Sequence, residues 1–126
     1  MRRELLRAKI HRATVTDTNV EYEGSLTIDA TLMAAADLVP FERIDVYNVS
    51  NGARFSTYVI EGQPDSGTMC VNGAAARLAA PGDRIIIAAY GSYDESEIPD
   101  HTPVVVFVDR SNRIKTADPA HAGSLR

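Results

Sequence analysis

The sequence predicts a mainly β protein, a small barrel with one short helix in each half. Three observations carry this expectation. Short runs rich in Val, Ile and Thr recur along the chain, separated by turn residues. Asn51-Gly52 lies between two such runs, and Asn-Gly is the strongest short hairpin signal. Two alanine-rich segments, Ala34-Ala35-Ala36-Asp37-Leu38 and Ala74-Ala75-Ala76-Arg77-Leu78, each lead through a turn to a strand, at Ile44 and at Ile85. This internal echo implies a pseudo-twofold relation between the halves.

The totals bound what such a barrel can be. A chain of 126 residues reads as one domain, 1–126. At this size roughly two thirds of the unfolded surface is buried on folding, so the core needs no staples. The formal net charge is -4, with both signs spread along the chain, which argues against a nucleic-acid surface. Cys70 is the only cysteine, which excludes an intramolecular disulfide, and between Met69 and Val71 it reads as a small buried hydrophobe. No apolar run is long enough to span a bilayer and no secretory segment is evident, so the expected address is the cytoplasm, with no membrane partner. His11, His101 and His121 show no metal-ligand spacing.

Taken in order, residues 3–16 read as the first strand, with Lys9 and His11 at one parity and so on one face. That face is either the edge of a site or a solvated surface. Asp17-Thr18-Asn19 reads as a polar turn, and residues 20–23 as an extended run into Gly24-Ser25. Leu26-Thr27-Ile28 is a short strand. Asp29 is a good N-cap for a helix over residues 30–38, with Pro40 just past its end. Residues 43–49 alternate, Ile44 and Val46 on one side, Asp45 and Tyr47 on the other. The returning strand, residues 53–60, puts Arg54, Ser56, Tyr58 and Ile60 on one face and Phe55, Thr57 and Val59 on the other.

Residues 61–67 form a loop and 68–71 a strand. Asn72 is the expected cap of a second short helix starting at Gly73. Pro81-Gly82-Asp83 is a turn, 84–90 a buried strand, 91–103 a long acidic loop, and 104–108 the last strand. Residues from about 110 to 126 are expected as a flexible tail.

Three places hold candidate chemistry. Gly24-Ser25 sets a hydroxyl beside a residue able to hold its carbonyl in a strained conformation. The serine oxygen can attack that carbonyl in an N→O acyl shift; elimination and hydrolysis then leave a ketone at a new N-terminus. Alone, Gly-Ser is an ordinary turn before a strand. Arg54 and Tyr58 on one face make either an anion-and-proton site or a half-exposed hairpin face. The N–H groups at the Asn72-Gly73-Ala74 helix start can receive an anion, or can simply be capped.

The motifs together resemble the pyruvoyl-dependent L-aspartate 1-decarboxylase family. They are Lys9-Ile10-His11-Arg12-Ala13-Thr14-Val15-Thr16, Tyr22-Glu23-Gly24-Ser25, Asn51-Gly52-Ala53-Arg54-Phe55-Ser56-Thr57-Tyr58, Val71-Asn72-Gly73-Ala74-Ala75-Ala76 and Pro81-Gly82-Asp83. Their order and spacing match over about residues 1–109. The resemblance implies a double-psi β-barrel, a homotetramer, and an inactive precursor that cuts itself between Gly24 and Ser25. The pieces would be a β chain, 1–24, and an α chain, 25–126, starting with a covalent pyruvoyl group made from Ser25. No metal and no dissociable cofactor is implied. The reaction would convert L-aspartate to β-alanine and carbon dioxide, for pantothenate and coenzyme A synthesis. The ketone would form a Schiff base with the substrate and act as electron sink, as pyridoxal phosphate does elsewhere.

By the same resemblance, Tyr58 donates the proton to Cα, Arg54 binds the retained β-carboxylate, and Lys9 is a second cation. Gly73, Ala74 and Ala75 touch substrate through backbone, Asn72 positions the pyruvoyl group or the Schiff base, and Thr57 serves cleavage and substrate contact. His11 and Tyr22 line the region. Two points fit poorly. Alternation sets Thr57 opposite Arg54 and Tyr58, which calls for a bulge or for faces serving neighbouring subunits. The loop Gly62-Gln63-Pro64-Asp65-Ser66-Gly67 departs from the basic Glu-Arg-Gly-Ser type of the family. Two alternatives stand beside this reading: a non-catalytic anion-binding barrel, and a precursor that needs a maturation factor.

Overall fold

Apolar parity decides which way each strand faces, and the computed structural model describes the result over residues 1–117. Nine strands are present among the described residues: β1 (Arg2–Thr14), β2 (Asp17–Asn19), β3 (Ser25–Asp29), β4 (Arg43–Asn48), β5 (Arg54–Gly62), β6 (Met69–Asn72), β7 (Arg84–Asp94), β8 (Val104–Val108) and β9 (Ile114–Ala117). One α-helix, α1 (Ala30–Ala36), follows β3, and 3-10 helices span Gly73–Leu78 and Ile98–Asp100. The strand order is β2-β6-β3-β5-β4-β7-β1-β8-β9.

The chain crosses this sheet early. Only Val15 and Thr16 separate β1 from β2, yet β2 begins the order and β1 lies near its far end. The chain itself therefore joins the two. Thr16 N donates to Met69 O at 2.9 Å, and Met69 N donates to Thr16 Oγ1 at 2.9 Å. Pairs β1·β8, β3·β5 and β2·β6 are parallel, and the others are antiparallel. The fold is mainly β, a double-psi β-barrel with short helices, as expected from the sequence.

The core is built from the alternate positions that sequence parity picked out. Ile44 and Val46 are buried on β4, Val59 on β5, and Ile85 and Ile87 on β7. Leu26 and Ile28 of β3 and Val71 of β6 meet them, with Leu32, Met33 and Ala36 of α1 packed alongside. Each fully buried aliphatic side chain of this kind contributes about 1.5–3 kcal/mol. No described helix is long and apolar enough to cross a membrane.

Helix α1 starts as expected, with Asp29 Oδ1 accepting from Thr31 N at 2.8 Å. It ends at Ala36, two residues early, because Asp37 adopts a left-handed conformation and its N–H turns back to Met33 and Ala34. The buried Asp29 carboxylate also accepts from Asp65 N (2.9 Å) and Gly67 N (2.8 Å). One side chain thus caps the helix and fixes the loop between β5 and β6.

Several expectations are corrected. Asp17–Asn19 is a strand, not a turn, because pairing with Cys70–Asn72 of β6 outweighs local turn propensity. The turn falls at residues 20–21, so residues 20–23 are not extended; Asn19 accepts from Glu21 N through its side chain and from Tyr22 N through its carbonyl. The β4–β5 hairpin forms, but its loop is residues 49–52, closed by Asn48 N to Ala53 O at 2.8 Å. The acidic loop starts later than read, since β7 runs to Asp94 against Arg2–Leu5 of β1.

The second short helix is 3-10 rather than α. Cys70 is only half-buried, and its thiol lies 3.3 Å from Asn72 Oδ1. The expected tail is structured as far as residue 117. Asn112 is buried, bonds Thr14 N and O at 2.7 and 2.8 Å, and reaches Gly67 O at 2.8 Å, while β9 pairs with β8. Residues 118–126 of that expected tail lie outside the described residues.

Asp29→Ala strips three N–H groups of their acceptor, that of Gly67 buried and those of Thr31 and Asp65 partly so. It is expected to cost about 3–5 kcal/mol, read as a fall in the urea midpoint at matched protein concentration, with Asp29→Asn losing less.

Candidate active site

Ser25 opens β3 directly opposite Asn72, the last residue of β6. Its side chain is completely buried. Ser25 Oγ donates to Glu23 O at 3.1 Å and accepts from Asn72 Nδ2 at 3.0 Å. The same amide donates to Thr27 Oγ1 at 3.0 Å, and its oxygen faces the Cys70 thiol. Asn72 therefore does not cap the following helix, contrary to expectation; no side-chain cap bond is made there. Its register on β6 aims it across β3 instead.

Gly73 comes next, with φ +68. A Cβ there would lie 2.5 Å from both Cα and N of Gly24 and 3.0 Å from the Glu23 carbonyl carbon. The bare face of Gly73 is therefore flat against the peptide before Ser25. Gly24 itself is not among the glycines with positive φ, and a Cβ on it would meet nothing within 4 Å. The demand for glycine falls on Gly73, not on a strained Gly24 as the sequence led us to expect.

Tyr58 and Thr57 approach from β5. Leu26 pairs with Val59 in the parallel β3·β5 ladder. One residue back on each strand, Tyr58 is level with Ser25; one further back, Thr57 is level with Gly24. The β4·β5 register runs without a shift from Arg54 to Tyr58. A bulge is therefore excluded, and Thr57 does face away from Arg54 and Tyr58.

Arg54 and Lys9 lie elsewhere on the outer face. Arg54 is four residues from Tyr58, about 13 Å along an extended strand. Lys9 pairs with Ala88, Ala88 with Asp45, and Asp45 with Ser56, so Lys9 is three strand spacings from β5, about 14 Å. Burial lowers the Lys9 pKa. His11 shares the Lys9 face, with its ring edge-on to Phe107 at 5.7 Å. Its Nδ1 is buried without a hydrogen bond. Burial first, then the charges of Lys9, Arg12 and Arg84, push its pKa down. Tyr22 is half exposed on the turn before Gly24. Ala74 is exposed and Ala75 packs on the core.

One protomer thus brings Gly24, Ser25, Asn72 and Gly73 together, with Thr57 and Tyr58 at the adjoining strand. It does not bring Arg54, Lys9 or His11 to Ser25. Two shallow hollows on the outer face, of about 270 and 290 Å³, share Asp45 and do not include Ser25.

Sequence reasoning missed Thr27, and it missed the Tyr47 ring lying 4.1 Å under the Arg54 guanidinium carbon. The parity of the Asn-Gly hairpin could have paired Tyr47 with Arg54. Nothing local points to Tyr90, whose hydroxyl is 2.9 Å from that of Tyr47.

The family model described as Aspartate decarboxylase matches residues 1–115. The chain belongs to the aspartate decarboxylase family. Among curated relatives, an aspartate 1-decarboxylase of Syntrophobacter fumaroxidans is 62% identical over 113 residues, covering 90% of this chain and 91% of the relative. One from Thermoanaerobacter pseudethanolicus is 53% identical over 113 residues, covering 90% and 97%. One from Syntrophotalea carbinolica is 50% identical over 129 residues, covering 100% and 98%. The resemblance read from the motifs is borne out, and the aspartate decarboxylase match runs beyond residue 109 to take in Asn112.

Two outcomes follow from this geometry. Gly73→Ala is expected to cost about 2–4 kcal/mol, from strain plus overlap with rigid backbone. Gly52→Ala has positive φ but open space, and is expected to cost about 1 kcal/mol; thermal melts of the pair measure the difference. For His11 the folded pKa lies below the ordinary 6.5, so as pH falls through 6.5 the unfolded state takes up its proton first. The stability contributed above that pH is lost as pH falls toward the lowered value. Between about pH 7.5 and about pH 5 the melting temperature of the wild type should therefore drop further than that of His11→Gln.

Proposed function

We propose that this chain is a self-processing aspartate 1-decarboxylase. It cuts itself between Gly24 and Ser25, turns Ser25 into a covalent pyruvoyl group, and converts L-aspartate to β-alanine and carbon dioxide. The work belongs in the cytoplasm and feeds pantothenate and coenzyme A synthesis. One observation carries the reading: in a chain of this family, a fully buried Ser25 hydroxyl is held by Asn72 beside a peptide on which Gly73 lies flat. A flat three-carbon ketone suits a cradle that a single Cβ at Gly73 would fill, with the Asn72 amide as its donor.

Cleavage is the chain's own chemistry. Ser25 Oγ adds to the Gly24 carbonyl carbon; the C–N bond breaks, the nitrogen gains the proton that the hydroxyl gives up and becomes a free amine, and an ester links Gly24 to Ser25. The Gly24 carboxylate then leaves by β-elimination, and water replaces the nitrogen of residue 25, which departs as ammonia. The level of Thr57 with Gly24 supports a role in polarising that carbonyl or holding its oxyanion.

In turnover the pyruvoyl group would supply an electron sink for decarboxylation. Arg54 offers a planar fork to the β-carboxylate. Pairing it with the departing α-carboxylate would stabilise the ground state and oppose the reaction. Tyr58, level with Ser25, supplies a proton to Cα. Lys9 adds a second cation, Asn72 orients the reacting end, and Gly73, Ala74 and Ala75 bound the substrate with backbone.

The separation of Arg54 and Lys9 from Ser25 within a protomer supports a homotetramer. There the outer face of one subunit completes the site of its neighbour. Exposed Val39 and Phe41 offer apolar surface for such contacts.

A second reading, maturation with a helper protein, is favoured by the Ser25 hydrogen bonds. The Oγ proton goes to the Glu23 carbonyl, which is no base, and the other partner is a donor.

Intact mass under denaturing conditions tests the proposal. Two pieces split after Gly24, the larger lighter by one ammonia than a serine-started chain, are expected, and Ser25→Ala should give one uncut, inactive chain. Carbon dioxide release from aspartate by Ser25→Ala would overturn the mechanism. An uncut wild type that matures on adding host extract would establish the helper reading; one that never matures would leave the anion-binding barrel.

A further inference from the structure

Arg54 carries the substrate carboxylate in the function proposed above, and what orients Arg54 lies outside the residues given a role there. Its guanidinium makes no ion pair or hydrogen bond among the described residues. Its support is a ring: Tyr47, its cross-strand partner on β4, lies 4.1 Å below Cζ. The nearest-row carboxylate, Asp45, accepts from Ser56 Oγ at 2.6 Å. The guanidinium therefore remains available to a ligand.

The Tyr47 ring is half-buried and is tied at its far end. Its hydroxyl lies 2.9 Å from the hydroxyl of Tyr90, which comes from β7 two residues beyond Ala88, the partner of Asp45. Tyr90 also lines one outer hollow and Tyr47 lines the hollow that contains Arg54. A ring fixed only at Cβ can swing; a ring also bonded at its hydroxyl cannot swing without breaking that bond. The guanidinium stacked on it is located accordingly.

We propose that Tyr90 is a positioning residue for Arg54. It pins the Tyr47 ring through the hydroxyl pair and so sets the distance at which the site accepts a side-chain carboxylate. The consequence is selection by length, a four-carbon acidic amino acid over its five-carbon homologue. The Tyr90 hydroxyl keeps its proton throughout the neutral range. The bond to Tyr47 and burial push Tyr90 up to about 12, helped by the charges of Tyr47 and Asp45 and opposed by Arg54.

This inference rests on the proposed decarboxylase function, and the experiment separates the two. Wild type, Tyr90→Phe, Tyr47→Phe and the double variant are compared by intact mass, then by steady-state kinetics with aspartate and with glutamate. Each single variant deletes one hydroxyl and keeps the ring. The inference expects unaltered cleavage after Gly24 and a KM for aspartate raised about fivefold with kcat within about twofold. It expects a higher glutamate-to-aspartate ratio of kcat/KM, and no further loss in the double variant, because one bond cannot be broken twice. Unchanged KM and selectivity in Tyr90→Phe overturn it, as does a fall confined to kcat, or additive losses in the double variant. A wild type that is neither cut nor active on aspartate, with host extract added, overturns the function and this inference with it.

Discussion

At Gly73 and Gly24 two backbones approach to a distance that no side chain on residue 73 would permit. A Cβ there would lie 2.5 Å from the neighbouring chain. Much of the surrounding structure follows from tolerating that contact. β6 must end at Asn72, so that the chain can turn left-handed at Gly73. Asn72, held in register against Ser25, sends its amide across β3 instead of along the next helix. β6 can lie there only because it is clasped between β2 and β3, and β2 is in place because β1 leads to it with only two residues between.

The two faces of β5 divide the chemistry. Thr57 looks inward with Phe55 and Val59, level with the Gly24 peptide, while Arg54, Ser56 and Tyr58 look outward. An unbroken ladder with β4 keeps the faces distinct. In the function proposed above, one strand would present Thr57 toward the cleaved peptide and Arg54 and Tyr58 toward the substrate from its opposite face.

Much of this was legible in the sequence, and the exceptions have one cause. Ile44 and Val46 alternate with Asp45 and Tyr47, so local parity was enough to orient β4. Asp29 before an alanine-rich run was enough for the start of α1. Gly24-Ser25 and Asn72-Gly73 stood out as motifs, and the structure brings them into contact. The misreadings fall where a distant partner decides the outcome. Asp17–Asn19 looks like a turn until β6 lies beside it. Gly91–Asp94 looks like loop until Arg2–Leu5 pairs with it. Asn72 looks like a cap until Ser25 is opposite. The region beyond Asp109 looks unanchored until Asn112 bonds both backbone groups of Thr14. The Tyr47–Tyr90 bond spans 43 residues, and no local pattern could announce it.

The weaving of β1 has a further consequence. Arg2–Thr14 lies between β7 and β8, and β2 is laid against β6, all upstream of residue 25. Were the backbone severed after Gly24, the first piece would remain threaded through the second, and the nicked barrel would migrate and sediment as one body. Its return from the unfolded state would nevertheless change in kind. The uncut barrel forms from one chain, whereas the two pieces must first meet, so recovery of the barrel itself would come to depend on concentration. Processing would then act as a ratchet: a barrel assembled once as a single chain becomes one that, if lost to denaturation, is hard to rebuild.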